Sequence, residues 1–246
     1  MIMNARKSAG ALVKRGKKWL TKAYAAGPEL EDALQMCEVF RQREMAVDVC
    51  YWGDDSEDPR DVADSYIATI RAVAEKETNA FVSIKAMLLH FDKQLVDEVM
   101  RNAEDAGVGV YLDSRAIELA DQIQSIAAEY ASGNNSIRCA IPGRWERSLE
   151  DAERLAGRDV GLRVVKGQWR DPENPTINLR EGFLAVIERL AGKAKHVSVA
   201  THDEALARQS LQRLIDTKTP CELELLFGLP MRGATKVAQE LGVRTR

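Results

Sequence analysis

The sequence predicts one α/β domain of the (β/α)8, TIM-like barrel class, with seven strand–helix units visible and the eighth missing or incomplete. Three observations carry that expectation. From residue 47 onward, short runs rich in β-branched residues alternate with stretches of helical periodicity, seven times over. The length of 246 residues suits a single barrel, which typically takes roughly 250. The turn after the first strand reads Trp52-Gly53-Asp54-Asp55, an acidic stretch without the G-x-G-x-x-G spacing expected of an open doubly wound sheet.

The elements follow in order. Val47–Tyr51 reads as the first strand, and Asp58-Pro59 opens a helix with Val62, Tyr66, Ile70 and Val73 on one face. Ala80–Lys85 is the second strand; its helix begins at Asp92, stacks Leu95, Val99 and Ala103, and stops at Gly107. Val108–Asp113 is the third strand, followed by a helix carrying Ile117, Ala120, Ile123 and Ala127. After the turn cluster 132–136, Ile137–Ile141 makes a weaker fourth strand ended by Pro142-Gly143, then a helix over Ser148–Ala156. Gly161–Lys166 is the fifth strand, with a helix over Leu179–Leu190; His196–Ala200 is the sixth, with a helix over Asp203–Asp216. Cys221–Phe227 is the seventh, with a helix over Gly233–Leu241, and an eighth strand is due near Val243. Such repeats imply right-handed parallel crossovers.

Composition narrows the function classes. Lys and Arg number 35 against 38 acids, and the net charge of −3 gives no field for nucleic acid. Four cysteines without paired spacing suit free thiols in a reducing compartment. No apolar run reaches the ~20 residues of a membrane span, and the expectation is a cytoplasmic protein. Residues 1–23 form a separate basic arm before a barrel domain at 24–246. Arg6, Lys7, Lys14, Arg15, Lys17, Lys18 and Lys22 surround Leu12, Trp19 and Leu20. Such an arm can lie on the anionic inner face of a membrane; the plainer alternative is a solvated terminus.

In a barrel the reactive groups stand at the C-terminal strand ends and in the following loops. Those positions hold Asp54, Lys85, Asp113, Pro142, residues 166–170, residues 201–203 and residues 224–228. Each alone reads as a solvated strand end, whereas together they suggest a site for an anionic or phosphorylated ligand. His90 and His196 read as structural. His202 sits at the rim, with no metal-ligand spacing around it.

Several of these segments resemble the proline dehydrogenase family. Arg163-Val164-Val165-Lys166-Gly167-Gln168-Trp169-Arg170-Asp171 is similar to its R-L-V-K-G-A-Y-W-D, and Val82-Ser83-Ile84-Lys85 to V-S-V-K. Ala200-Thr201-His202-Asp203 resembles A-T-H-N, residues 222–229 resemble E-F-Q-x-L-Y-G-M, and Tyr24-Ala25-Ala26-Gly27 resembles F-V-A-G. The segments stand in family order. The resemblance implies FAD at the rim, oxidation of L-proline or a related imino acid to pyrroline-5-carboxylate, and a quinone as electron acceptor. By position, Lys85 would face the substrate carboxylate and Arg163 the flavin N5 edge. Val165, Lys166, Gly167 and Trp169 would line the cofactor, Thr201, His202 and Asp203 would contact it, and Asp113 would lie below the ring.

The departures from the family pattern concern the same rim. Pro142 stands for a glutamine, Gln168-Trp169-Arg170 for A-Y-W, Asp203 for asparagine and Glu224 for glutamine. The family's last strand and its Y-x-x-R-R-x-x-E-N helix, which carries the arginine pair for the proline carboxylate, have no counterpart in the sequence. A complementing chain or a homo-oligomer is therefore expected at the barrel edge. Alternative readings are a catalytically impaired relative acting in binding or regulation, one part of a split or truncated enzyme, and a barrel enzyme for phosphorylated sugars.

Overall fold

The computed structural model describes residues 25–76, 80–131 and 136–246. The basic arm, Tyr24 and most of the turn cluster lie outside the described residues. The strands are β1 (Asp48–Cys50), β2 (Phe81–Ile84), β3 (Gly109–Leu112), β4 (Ile137–Pro142), β5 (Gly161–Val165), β6 (Val197–Ala200) and β7 (Cys221–Glu224). Each pairs in parallel with its sequence neighbour, in the order β1 to β7. The seven expected strands are all present. The fourth, read as weak, is the longest at 6 residues and buried throughout.

The helices are α1 (Leu30–Arg41), α2 (Pro59–Lys76), α3 (Lys93–Asp105), α4 (Ala120–Tyr130), α5 (Ser148–Ala156), α6 (Leu179–Leu190), α7 (Glu204–Asp216) and α8 (Arg232–Glu240). Helix α1 was not foreseen; it packs on α2, and Phe40 meets Phe227 edge-on at 6.2 Å. Side-chain caps fix several starts. Asp92 accepts from the Gln94 and Leu95 amides, Asn178 from Arg180 and Glu181, and Asp203 from Leu206.

Residues 244–246 take the place that an eighth strand would fill. Thr245 bridges Leu223 in parallel; the Arg246 amide donates to Leu223 O at 2.8 Å and the Leu225 amide to Arg246 O at 2.9 Å. On the other side the Ala46 amide donates to Thr245 O at 3.0 Å, and Arg246 Nη1 to Val47 O at 2.8 Å. The seam between β7 and β1 is thus bridged at its lower end, where an uncovered edge was expected.

Alternation along the strands divides the two cores. Val49, Val82, Val110, Cys139, Leu162, Val164, Val199 and Leu223 belong to the apolar core shared with the helices, along with Tyr66, Ile70, Val99, Ile123, Phe183 and Leu206. The other face, inside the barrel, is polar. Two glycines make room at its floor: a Cβ on Gly109 would lie 2.4 Å from the Phe81 ring, and one on Gly161 2.7 Å from Arg138 Cγ. Outside, ion pairs join consecutive helices from α2 to α8: Arg60–Glu98, Lys93–Glu129, Arg147–Asp121, Arg189–Glu153, Arg213–Glu188 and Arg208–Glu240. Each such exposed pair is worth only ~0.2–1 kcal/mol, so the girdle aligns helices more than it holds them.

Candidate active site

The barrel interior carries two charged layers. In the lower one, Glu222 on β7 meets Arg138 from β4 and receives Arg246 Nε at 2.9 Å. Ser198 and the Tyr111 hydroxyl complete the bonding around this carboxylate. Both guanidinium groups stack on Phe81, at 4.2 and 4.5 Å from its ring centre. Burial pushes the Glu222 carboxyl up, but the charges of Arg246 and Arg138 outweigh it and bring it down to about 2. His196, at the barrel floor beside Arg138, is lowered to about 4 by burial and that cation, as suits a structural imidazole.

In the upper layer, Arg163 of β5 is buried with three carboxylates around one guanidinium. Nη2 meets Asp48 of β1 and, at 2.6 Å, Glu224 Oε1 of β7; Nη1 donates to Asp113 Oδ1 at 2.9 Å. Its guanidinium carbon lies 3.5 Å from the Tyr111 ring centre. Ser83 Oγ donates to Asp48 Oδ2 at 2.7 Å. Asp48 Oδ1 and Glu224 Oε2 are buried with no hydrogen-bond donor. Burial and the neighbouring Asp48 raise the Glu224 carboxyl above its ordinary range, against the pull of Arg163.

The rim above is built from loops. Lys85, at the end of β2, places Nζ 2.9 Å from Cys50 Sγ and 3.2 Å from Tyr51 O, and its amide donates to Tyr66 Oη at 3.0 Å. Burial dominates the Cys50 thiol and pushes it up to about 11, so the lysine meets a thiol rather than a thiolate. After β5, Gly167 has φ +87°, and a Cβ there would lie 2.8 Å from Pro142. This close approach lets Arg144 Nη1 bond Gly167 O and Gln168 O, at 3.1 and 2.8 Å, while Trp145 Nε1 bonds Trp169 O at 3.0 Å. The amides of Lys166, Gly167 and Gln168 donate no hydrogen bond among the described residues. The Trp169 side chain is 48% exposed, and Trp52 on the β1 loop is 51% exposed.

Thr201 is buried and accepts from the Asp203 amide. Asp203 caps α7 through Leu206 at 2.9 Å, and this bond holds its carboxyl below the ordinary range; Arg180 and Lys166 stand 3.4 and 3.9 Å from Oδ2. His202 is a brace: Nδ1 is 3.0 Å from Pro230 O, and Nε2 accepts from the Leu226 amide at 3.0 Å, which fixes the loop after β7.

The structure thus gathers Lys85, Asp113, Arg163, Val165, Lys166, Gly167, Trp169, Thr201, His202 and Asp203 at one end of the barrel, in two groups. Asp113 and Arg163 face the interior, and Lys166 and Asp203 face each other between β5 and α7. Sequence reading missed Asp48, Tyr111, Arg144 and Cys50 as neighbours of the site. A charged Asp48 between Val47 and Val49 was the available signal. No cluster of three or more metal-ligating side chains occurs among the described residues, and none of their helices is long and apolar enough to cross a membrane. For a dinucleotide flavin the rim has matching parts: unpaired amides and Lys166 for an anionic phosphate, and the exposed Trp169 for a flat ring. Asp203 opposes the phosphate but is itself balanced by Arg180. The residues fit the group.

No protein-family model matches the chain. A search of curated proteins finds proline dehydrogenase 2 of Bacillus subtilis (strain 168), 21% identical over 249 residues, covering 93% of this chain and 82% of the relative. The same protein from Bacillus subtilis subsp. natto matches at 21% over 81% of its length. Among solved structures, proline utilization A (PutA) with proline bound in remote sites superposes with a TM-score of 0.70 at 17% identity, over 92% of this chain. PutA from Corynebacterium freiburgense superposes with 0.69 at 14% identity, over 100% of this chain. The chain spans only 28% and 31% of those two PutA chains. The chain is thus similar in sequence, at low identity, to proline dehydrogenase 2 over most of its length, and shares the barrel fold of the PutA structures.

Proposed function

We propose that this chain is an oxidoreductase of proline catabolism that binds FAD at the C-terminal rim and oxidises L-proline, or a related imino acid, to pyrroline-5-carboxylate. The observation that carries this reading is the assembly, at one end of the barrel, of Lys85, the loop 166–170 and the turn 201–203 at the rim with Arg163 beneath them, all far apart in the chain. A bound flavin supplies a two-electron acceptor, which the side chains of the site lack. The chain's own residues bind and orient. Lys166 and the free amides of the β5 loop would hold the phosphates, and Trp169 would cover the ring. Thr201 and His202 would shape the far wall, His202 by fixing the β7 loop. Lys85 has three donors, two of them directed at Cys50 and Tyr51; the third is free to meet a substrate carboxylate. Arg163, with Asp113, Asp48 and Glu224, forms the floor beneath the reacting carbon. A quinone as final acceptor and contact of the basic arm with an anionic membrane surface belong to the same proposal.

Binding of FAD to the full chain, followed by flavin and tryptophan fluorescence, tests it. Saturable binding is expected in the micromolar range, with Lys166→Ala weakening it about tenfold, the equivalent of one charged hydrogen bond of ~1.5 kcal/mol. Wild-type protein that takes up no FAD, with its fold intact by circular dichroism, would remove the flavin reading.

A further inference from the structure

The upper layer presents a problem of charge and of hydrogen bonding that its side chains do not solve as fully ionised groups. Asp48, Asp113 and Glu224 surround a single guanidinium, and two of the three carboxylates meet on the same nitrogen, Nη2. A carboxylate only accepts hydrogen bonds, yet Asp48 Oδ1 and Glu224 Oε2 are buried without a donor. Among the described residues, the other cations inside the barrel, Arg138 of β4 and Arg246, are committed to Glu222 in the layer below. β1 contributes Asp48, β2 contributes Ser83 bonded to Asp48, β3 contributes Tyr111 and the loop after it Asp113, β5 contributes Arg163, β6 contributes Ser198 bonded to Glu222, and β7 contributes Glu222 already paired below. Lys85 stands at the rim on Cys50 and Tyr51, and Lys166 faces Asp203. Burying uncompensated charge is costly, and the ordinary response of such a group is to take up a proton.

We infer that Glu224 is held as a neutral carboxylic acid at neutral pH, a one-proton site over Arg163 and beside Asp48 that sets the charge of the substrate mouth to zero. One proton removes a negative charge from the pair on Nη2 and makes the Glu224 carboxyl a donor as well as an acceptor; the remaining orphan donor of the cluster, Arg163 Nε, is buried without an acceptor and does not meet either oxygen. Lys85 and Arg163 then balance Asp48 and Asp113, which suits a zwitterion without net charge, such as a cyclic imino acid; this substrate half rests on the function proposed above. Glu224 is accordingly the residue that tunes the site for a net-neutral ligand, and the sequence places it where the related family carries an uncharged glutamine.

Burial and Asp48 also raise the Glu224 carboxyl, and a raised carboxyl stabilises the fold at low pH and loses that contribution as pH rises through its folded value. Infrared spectroscopy of the full chain tests the proton directly. A carboxylic-acid C=O band is expected at neutral pH, lost in Glu224→Gln. It is also expected to be lost in Asp48→Asn, where Glu224 remains but its closest like charge is gone. Glu224→Gln should in addition flatten the alkaline fall in thermal stability. Absence of the band in the wild type, or its survival in Glu224→Gln, overturns the inference; its survival in Asp48→Asn overturns the role of Asp48. Calorimetry with L-proline tests the charge match: affinity should fall about tenfold per pH unit once Glu224 ionises, and be flat with pH in Glu224→Gln. A band without L-proline binding at any pH would leave the proton site standing and overturn the substrate reading. Binding that is flat with pH in the wild type while the band is titrated away overturns the charge match alone.

Discussion

Replacing Arg163 by Met should destabilise the chain by about 3–5 kcal/mol at neutral pH, the usual loss when one partner of a buried ionic cluster is removed. Three carboxylates from β1, β7 and the loop after β3 converge on this one guanidinium. Met fills a similar volume over the Tyr111 ring, so most of the effect would come from negative charges left facing one another rather than from a cavity. The pH dependence separates these causes. In the variant, protonation of the carboxylates relieves the repulsion, so the loss should shrink as pH falls from 7 towards the ordinary carboxylate range of about 4. Urea midpoints of both proteins across that range would show it. Arg163→Lys should lie between, because an ammonium keeps the charge without the planar fork that serves three acceptors at once. A deficit of the same size at every pH would assign the role of Arg163 to packing alone.

Glu222→Ala should have an effect of comparable size with the opposite sign of charge. It strands Arg138 and Arg246 in the barrel floor, both largely buried and stacked on Phe81, again an expected loss of about 3–5 kcal/mol. Because the charges of Arg246 and Arg138 hold the Glu222 carboxyl at about 2, below the ordinary carboxylate range, its contribution is fully present above that range. It is lost as pH falls through about 2. The wild type should therefore unfold progressively over that acid interval, and Glu222→Gln should flatten this limb while leaving neutral-pH unfolding cooperative. Since Arg246 also bonds Val47 O, hydrogen exchange of the Ala46 and Leu223 amides should accelerate with the loss of Glu222. A shift in urea midpoint worth under about 1 kcal/mol would mean that Arg138 and Arg246 are not left as uncompensated buried charges, and would contradict this role of Glu222.

How much of this was legible in the sequence varies with the kind of signal. Helices α5 and α6 fall on the residues that periodicity selects, and α3 and α7 start where Asp92 and Asp203 supply caps. β-branched runs and turn residues marked all seven strands, because strands buried on both faces are short, apolar and sharply bounded. Helix α1 was passed over because its residues follow the basic arm and carry only one fully buried side chain, Cys37. The lower charged layer was hidden for another reason. Arg138 and Glu222 sit in separate strands, and only barrel closure brings them together; a sequence shows each as an isolated charge in an apolar run. The strand-end segments pointed to the rim, but the placement of Arg163 below it, and of His202 on backbone groups, depends on long-range contacts that local spacing does not encode. Glu224 stood out as a departure from a family pattern, without the Asp48 partner that gives the departure its chemical meaning.

The proposed function is imino-acid oxidation at this rim through a bound flavin. Anaerobic addition of L-proline to the FAD-loaded full chain, followed by absorbance of the oxidised flavin, tests it most directly. Bleaching of the oxidised band at a saturable rate, with one pyrroline-5-carboxylate formed for each flavin reduced, is the predicted result. A flavin that stays oxidised with L-proline and with related cyclic imino acids, yet bleaches with a chemical reductant, would contradict it.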